Sequence, residues 1–266
     1  ALKIQQNRAD LGLKNSEGNN PLLPEFAQAG GADRTAGRLG EDFPWAKERL
    51  RVLSAPTPSI ALSEYRKGID GYERNLSDAQ KYGMALAYLE NNQAGAAESL
   101  LNGLVKSHPD NLWIGIAHAE SAQKLGNGAQ SRTRFEQLLG QFPNNRAVIL
   151  AYAESLLVQN ERASALRAQE ILRTLSNNSA EDVVFQRSFA RAFELSGNTL
   201  RAAECYAEVA YLNGRVDDAI NQLTALMKND DLDYYQRARV EARIAELRPI
   251  SLELERQGIR AEDQGR

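Results

Sequence analysis

Along this chain, apolar side chains recur at helical spacing, in sets that join a small residue to larger ones. Ala97, Leu101 and Leu104 stand at i, i+4 and i+7. The same spacing relates Ser131, Phe135 and Leu138, then Ala168, Leu172 and Leu175, then Ala202, Tyr206 and Val209. Ahead of each set lies a shorter pair on the preceding segment: Ala85 and Tyr88, Ala119 and Ala122, Ala153 and Leu156, Ala190 and Phe193. A period near 3.6 predicts amphipathic helices. The small residues predict close approach of two helices in a hairpin, with the large ones filling the layer between hairpins. Runs of strand-favouring residues are nearly absent.

Punctuation sets the period. Pro109 and Pro143 are 34 residues apart, and Asn92, Gly126, Asn160, Gly197 and Gly214 mark turns spaced by 34, 34, 37 and 17. Glycine and asparagine tolerate the left-handed backbone that ends a helix. A 34-residue repeat of paired helices is the tetratricopeptide (TPR) signature. The predicted fold is all-α: a right-handed TPR superhelix of antiparallel helix hairpins, with N-terminal extension helices and a C-terminal capping helix. The spacing of 37 reads as a three-residue insertion near residues 161–163. The spacing of 17 reads as half a period, with the helix from Leu200 to Asn213 shared between two hairpins. A helix follows over 215–228. The last one starts near Asp233 and runs to Leu247, with continuation past Pro249 to Gln257 left open. Its Arg237, Arg239, Glu241, Arg243 and Glu246 are expected on a solvated outer face.

The front of the chain differs. Residues 12–40 carry Pro21, Pro24, Gly30, Gly31, Gly37 and Gly40, a composition that predicts loop. A helix over 1–10 and an apolar cluster of Leu22, Leu23 and Phe26 are the possible anchors. Asp42 is the expected N-cap of a helix over 43–54, with Trp45, Leu50 and Leu53 as its buried side chains. A second helix is expected over 59–74. The two either extend the array or form a degenerate fifth repeat. The resulting division is a helix and loop-rich linker over 1–40, extension helices over 41–76 and a TPR array of about four repeats plus a half-repeat over 77–229. A capping helix over 230–257 and a tail over 258–266 complete it.

Composition narrows the function. There are 32 basic and 35 acidic side chains, for a net charge of −3, so the basic footprint of a nucleic-acid binder is missing. No apolar run is long enough to span a membrane. Cys205 is the sole cysteine and reads as a buried thiol. His108 and His118 read as structural. No His-Glu-x-x-His, cysteine pair, Gly-x-Ser-x-Gly or phosphate-binding glycine loop occurs, so no cofactor and no catalytic site is expected in this chain. Glu181 and Asp182 read as a helix cap. What remains is a surface that binds protein or peptide. In the TPR register the first helix of each hairpin lines a groove, which makes Tyr82, Leu86, Trp113, Glu120, Lys124, Glu154, Arg187 and Arg191 the candidate contacts.

Several stretches resemble one family. Residues 79–86 (Ala-Gln-Lys-Tyr-Gly-Met-Ala-Leu), 212–220 (Leu-Asn-Gly-Arg-Val-Asp-Asp-Ala-Ile), 235–239 and 242–247 are similar to the repeat region of the BepA/YfgC family. Residues 6–10 and 41–47 resemble its linker helices. The members are periplasmic zinc metalloproteases that enhance outer-membrane β-barrel assembly, with a protease domain followed by a TPR domain. The resemblance implies a periplasmic module that recruits outer-membrane proteins or the barrel-assembly machinery. It also implies a protease half, with its zinc, encoded upstream of Ala1. No catalytic residue carries over, because the protease motif is not in this sequence. A free-standing TPR scaffold or adaptor is the alternative reading.

Overall fold

The computed structural model describes residues 35–70, 76–177, 179–230 and 232–259. Among these, secondary structure is helical throughout, with no strand. The expectations for 1–10 and for Leu22, Leu23 and Phe26 lie outside the described residues. The chain divides into two compact units, with the boundary between Ser155 and Leu156.

In the N-terminal unit, α1 (Thr35–Ser54) and α2 (Pro58–Asp70) precede the hairpins α3 (Asp78–Glu90) with α4 (Ala94–Ser107), and α5 (Leu112–Lys124) with α6 (Gly128–Gln141). α7 (Arg146–Leu157) follows, and the boundary between the units falls within it. α3 pairs with α4, α4 packs on α5, and α3 and α5 lie side by side. Both α1 and α2 pack on α3. Local chemistry starts these helices where they begin. Ser77 and Gln80 form a reciprocal capping box ahead of α3, and the Asn111 side chain accepts from the Ile114 amide at 3.1 Å.

The predicted small and large positions form the interior. Ala85, Ala97, Leu101, Leu104, Ala119, Ala122, Ser131, Phe135 and Ala153 are all buried. Phe135 stacks on Tyr152 at 5.1 Å between ring centres. Side chains of this size each contribute roughly 1.5–3 kcal/mol when fully buried. All five predicted turn residues have positive φ, from 53° at Asn160 to 89° at Gly197.

In the C-terminal unit, α8 (Arg162–Arg173), α9 (Val183–Ser196), α10 (Thr199–Leu212), α11 (Val216–Leu226) and α12 (Tyr234–Arg256) pack each on the next. α10 touches both α9 and α11, as the shared-helix reading expects. Asp182 caps α9 by accepting from the Val184 and Phe185 amides, and Asp233 forms a capping box with Gln236. α12 runs through Pro249 without ending there.

Three local expectations are corrected. Asp42 is not an N-cap: α1 begins at Thr35, within the predicted linker, and passes through Pro44. Leu50 and Leu53 are not core, being 52% and 50% exposed, because α1 turns the stripe of Trp45, Glu48 and Val52 inward instead. The additional residues of the third repeat lie after α8, in the connection 174–182, and not near 161–163, where α8 starts as promptly after its turn as α6 does. No proline closes α8 at the position held by Pro109 and Pro143 in the earlier repeats, and the longer connection takes that place.

Candidate functional site

In the N-terminal unit the face expected to form the groove is carried by α3 and α5, and α1 lies on it. The indole of Trp45 meets the Tyr82 ring edge-on at 5.8 Å and 80°, and the imidazole of His108 at 5.4 Å and 72°. Two residues before Pro44, Asp42 accepts a hydrogen bond from Trp113 Nε1 at 3.1 Å. Glu48 accepts from the Tyr65 hydroxyl of α2 at 2.7 Å, and Val52 completes the buried stripe. The register that assigned Tyr82, Leu86 and Trp113 to the groove face is that of the helices, but these side chains are only 0%, 6% and 5% exposed. They are core, and a helix from upstream covers Tyr82 and Trp113.

Past the end of that covered strip the face becomes charged. Arg49 of α1 points toward Tyr82 and Glu120. Burial alone would lower its pKa, but the fields of Tyr82, Glu120 and Glu90 outweigh that and hold the guanidinium charged. The Tyr82 hydroxyl is fully buried beside that guanidinium, which interacts with it without reaching good hydrogen-bond geometry. Burial pushes the Tyr82 phenol up to about 12. Glu120 is half-buried, and its carboxyl titrates above the ordinary range. Burial is the main cause, reinforced by Glu154 and Glu90 and opposed by Arg49 and Lys124. Lys124 is exposed and donates to the Leu89 carbonyl at 2.9 Å, with Glu90 at 3.8 Å. Glu154 is exposed.

A separate polar knot ties the two hairpins of this unit. Arg134 grips Glu98 with both guanidinium nitrogens, at 2.6 and 3.1 Å, and also donates to the His118 carbonyl. Ser121 donates to the same carboxylate, and His118 Nε2 sits against Asn102 at 3.0 Å. Burial would raise the Glu98 pKa, but the bonds from Arg134 and Ser121 bring it down to about 2. The polar groups of this knot thus satisfy one another.

In the C-terminal unit Arg187 and Arg191 are exposed on α9, as the groove assignment requires of them. Arg191 donates to Asn160 at 2.9 Å. Behind them Phe185, Phe189 and Phe193 form a ladder at 5.2 and 4.4 Å. Sequence reasoning missed the clamp between α10 and α12. Arg243 holds Glu208 through two bonds of 2.7 Å, and Arg239 holds Glu204 at 2.7 and 3.0 Å. Arg243 is thus partly withdrawn against a neighbouring helix, while Arg239 pairs with Glu204 and stays exposed, as expected of an outer face. A matching i,i+4 spacing on both helices, 204/208 against 239/243, was the available signal. The clamp borders a cavity of about 230 Å³ that Cys205 and Leu223 also line.

Among the described residues no group of three His, Cys, Asp or Glu side chains is placed to hold a metal ion. No helix among them is long and apolar enough to cross a membrane.

Comparison with known proteins agrees with this architecture. Residues 78–111, which span α3 and α4, match the tetratricopeptide repeat family model. The chain is 28% identical over 216 residues, 79% of its length, to the beta-barrel assembly-enhancing protease of Escherichia coli strain K12. A Vibrio cholerae protein described as a putative form of the same protease is 28% identical over 207 residues, 77% of this chain. The aligned region spans 42% of the length of each of these curated relatives.

Proposed function

We propose that this chain is a protein-binding repeat module that serves outer-membrane β-barrel assembly from the periplasm. It brings barrel proteins, or the machinery that inserts them, to a protease by raising their local concentration. The chain itself supplies recognition, and the zinc chemistry belongs to the protease. The observation that carries this reading is the similarity to beta-barrel assembly-enhancing proteases along more than three quarters of the chain. The exposed polar positions on first helices of the hairpins support it. Each unit by itself offers charged contacts to an extended or helical segment of a partner, Lys124 and Glu154 in the N-terminal one and Arg187 and Arg191 in the C-terminal one.

The test is direct binding. The immobilised full chain is exposed to a purified outer-membrane β-barrel protein diluted from urea, and separately to a purified barrel-assembly complex. Binding of at least one, weakened by K124E or R191E, is the expected result. Failure of both to bind sinks the proposal.

A further inference from the structure

The cavity of about 230 Å³ in the C-terminal unit has an apolar floor and a charged rim. Cys205 of α10, Leu223 of α11 and Val240 of α12 make the floor, and all three are buried. The rim holds two clusters. Arg201, Glu204 and Arg239 form one, and Glu208 with Arg243 forms the second, one helical turn further along α10 and α12.

The clusters differ in what they leave unsatisfied. Arg243 donates from Nε and Nη2 to Glu208, each at 2.7 Å, and from Nη1 to Glu246 at 2.9 Å, so its charge is answered twice. In the other cluster two guanidiniums share one carboxylate. Arg201 Nη1 reaches one oxygen of Glu204 at 2.6 Å, and Arg239 Nε and Nη2 reach the other at 3.0 and 2.7 Å. That cluster sets two positive charges against one negative. Among the described residues, Arg201 Nε and Nη2 and Arg239 Nη1 have no hydrogen-bond acceptor. The Phe193 ring, 5.7 Å from the Arg201 guanidinium, supports it at the rim. The Arg201 and Arg239 side chains are 41% and 48% exposed, so a ligand in solution can reach the surplus donors. The planar fork of N–H groups on a guanidinium matches a carboxylate.

Volume limits the ligand. Pockets for drug-sized molecules start at about 300 Å³, so this one takes a single side chain and the group attached beside it. An apolar floor next to surplus guanidinium donors suits one residue that carries an apolar side chain and a carboxylate together. Within a polypeptide only the last residue has both. We propose that this cavity captures the C-terminus of a partner polypeptide. The free carboxylate binds Arg201 and Arg239, and the terminal apolar side chain rests on Cys205, Leu223 and Val240. Glu204 already engages both guanidiniums, so it orients them and also competes with the incoming carboxylate. This inference rests on the chain being a protein-binding module, and not on which envelope protein it binds.

The probe is a fluorescein-labelled peptide, Gly-Ser-Gly-Ser-Gly-Leu with a free C-terminal carboxylate, titrated by anisotropy into the full chain at low salt. Saturable binding is expected. Amidating the terminus, or replacing the terminal leucine with glycine, is expected to weaken it at least ten-fold. An amidated Gly-Ser-Gly-Ser-Glu-Leu peptide separates a terminal carboxylate from an internal one, and it is expected to bind as poorly as the other amide. R201A and R239A should each cost at least five-fold, whereas R256A, on the same helix as Arg239 but outside the cavity lining, should cost nothing. E204Q should tighten binding several-fold, the opposite of what a purely structural role for Glu204 gives. Absence of saturable binding up to millimolar chain overturns the proposal, as does equal affinity for acid and amide or indifference to R201A and R239A. Weaker binding by an E204Q chain that circular dichroism shows to be folded overturns it too. Should E204Q unfold, the folded R201A/R239A chain decides, and wild-type affinity there overturns the proposal. No barrel protein or assembly complex enters this assay, so its failure and the failure of the recruitment reading are separately visible.

Discussion

Trp113 Nε1 donates to Asp42 at 3.1 Å, across 71 positions of sequence. That single bond joins the start of the second hairpin to a helix that precedes the first. Trp45, the only other tryptophan, lies on the same helix as Asp42 and packs on Tyr82. Replacing Asp42 with alanine removes a charged acceptor from a largely buried indole donor. The expected loss is about 1–2 kcal/mol of stability, measured by urea unfolding. Because both tryptophans sit at this contact, loosening of α1 also shifts the native emission to longer wavelength. An unchanged spectrum would show that α1 is held without this bond.

Gly83 lies where α1, α2 and α3 converge. A Cβ there would collide with the hydroxyl end of the Tyr65 ring, reaching 2.8 Å from its Cζ and 3.0 Å from Glu48 Cβ. Alanine improves intrinsic helix propensity by about 1 kcal/mol, yet overpacking costs about 1–3 kcal/mol. G83A is therefore expected to lower the melting temperature, and Y65A in the same chain to relieve part of the clash. A stabilised G83A chain would mean that Tyr65 moves aside freely.

Acid should dissolve the Glu98 knot in a defined window. Its folded pKa, about 2, lies below the ordinary value of 4.5. The contribution of the ionised carboxylate is thus complete above about pH 4.5 and is lost as pH falls toward 2. With the side chain 17% exposed, the effect amounts to about 2 kcal/mol after allowance for solvent screening. Unfolding free energies from pH 6 to pH 2 should show a steeper decline for the wild type than for E98Q. Parallel curves would refute this role for Glu98.

Cys205 is expected to be inert in the folded chain. Burial raises its thiol to about 11 from an ordinary value of 9.0, with Arg201 opposing and the nearby glutamates assisting. Only the thiolate alkylates, and at pH 8 so high a pKa leaves roughly 100-fold less of it than an open cysteine would have. Iodoacetamide labelling of native protein at pH 8 should be slower than labelling in urea by at least that factor. Comparable rates would place the thiol in an open environment.

The repeat was legible because its signals are local. Asn92, Asn160 and the turn glycines announce positive φ from their own chemistry, and all of them have it. Ala97, Leu101 and Leu104 define a buried stripe within one helix, and all are buried. The candidate groove was half legible. The register of Tyr82, Leu86 and Trp113 follows from the period, but the helix that covers Tyr82 and Trp113 comes from more than 30 residues upstream and from no repeat signal. α1 itself offers two apolar stripes, and nothing within it says whether Val52 or Leu50 faces in. That choice is made by Tyr82, His108 and Trp113, the side chains it packs against. The Arg243–Glu208 clamp escaped for the same reason: each charge looks solvated until its partner helix is placed.

Several polar links between helices of this protein reach about one repeat along the chain. Lys124 to Leu89 spans 35 residues, Arg134 to Glu98 spans 36, and Ser251 to Asp217 spans 34. Elements tied only to their neighbours open one at a time, like beads released in sequence from an end. The bond from Asp42 to Trp113 reaches two repeats, and that changes the cooperativity of everything beneath it. While α1 is seated, the first two hairpins share one opening event, and their slowest amides should exchange hydrogen at one common rate. When α1 is lifted, that rate should split in two.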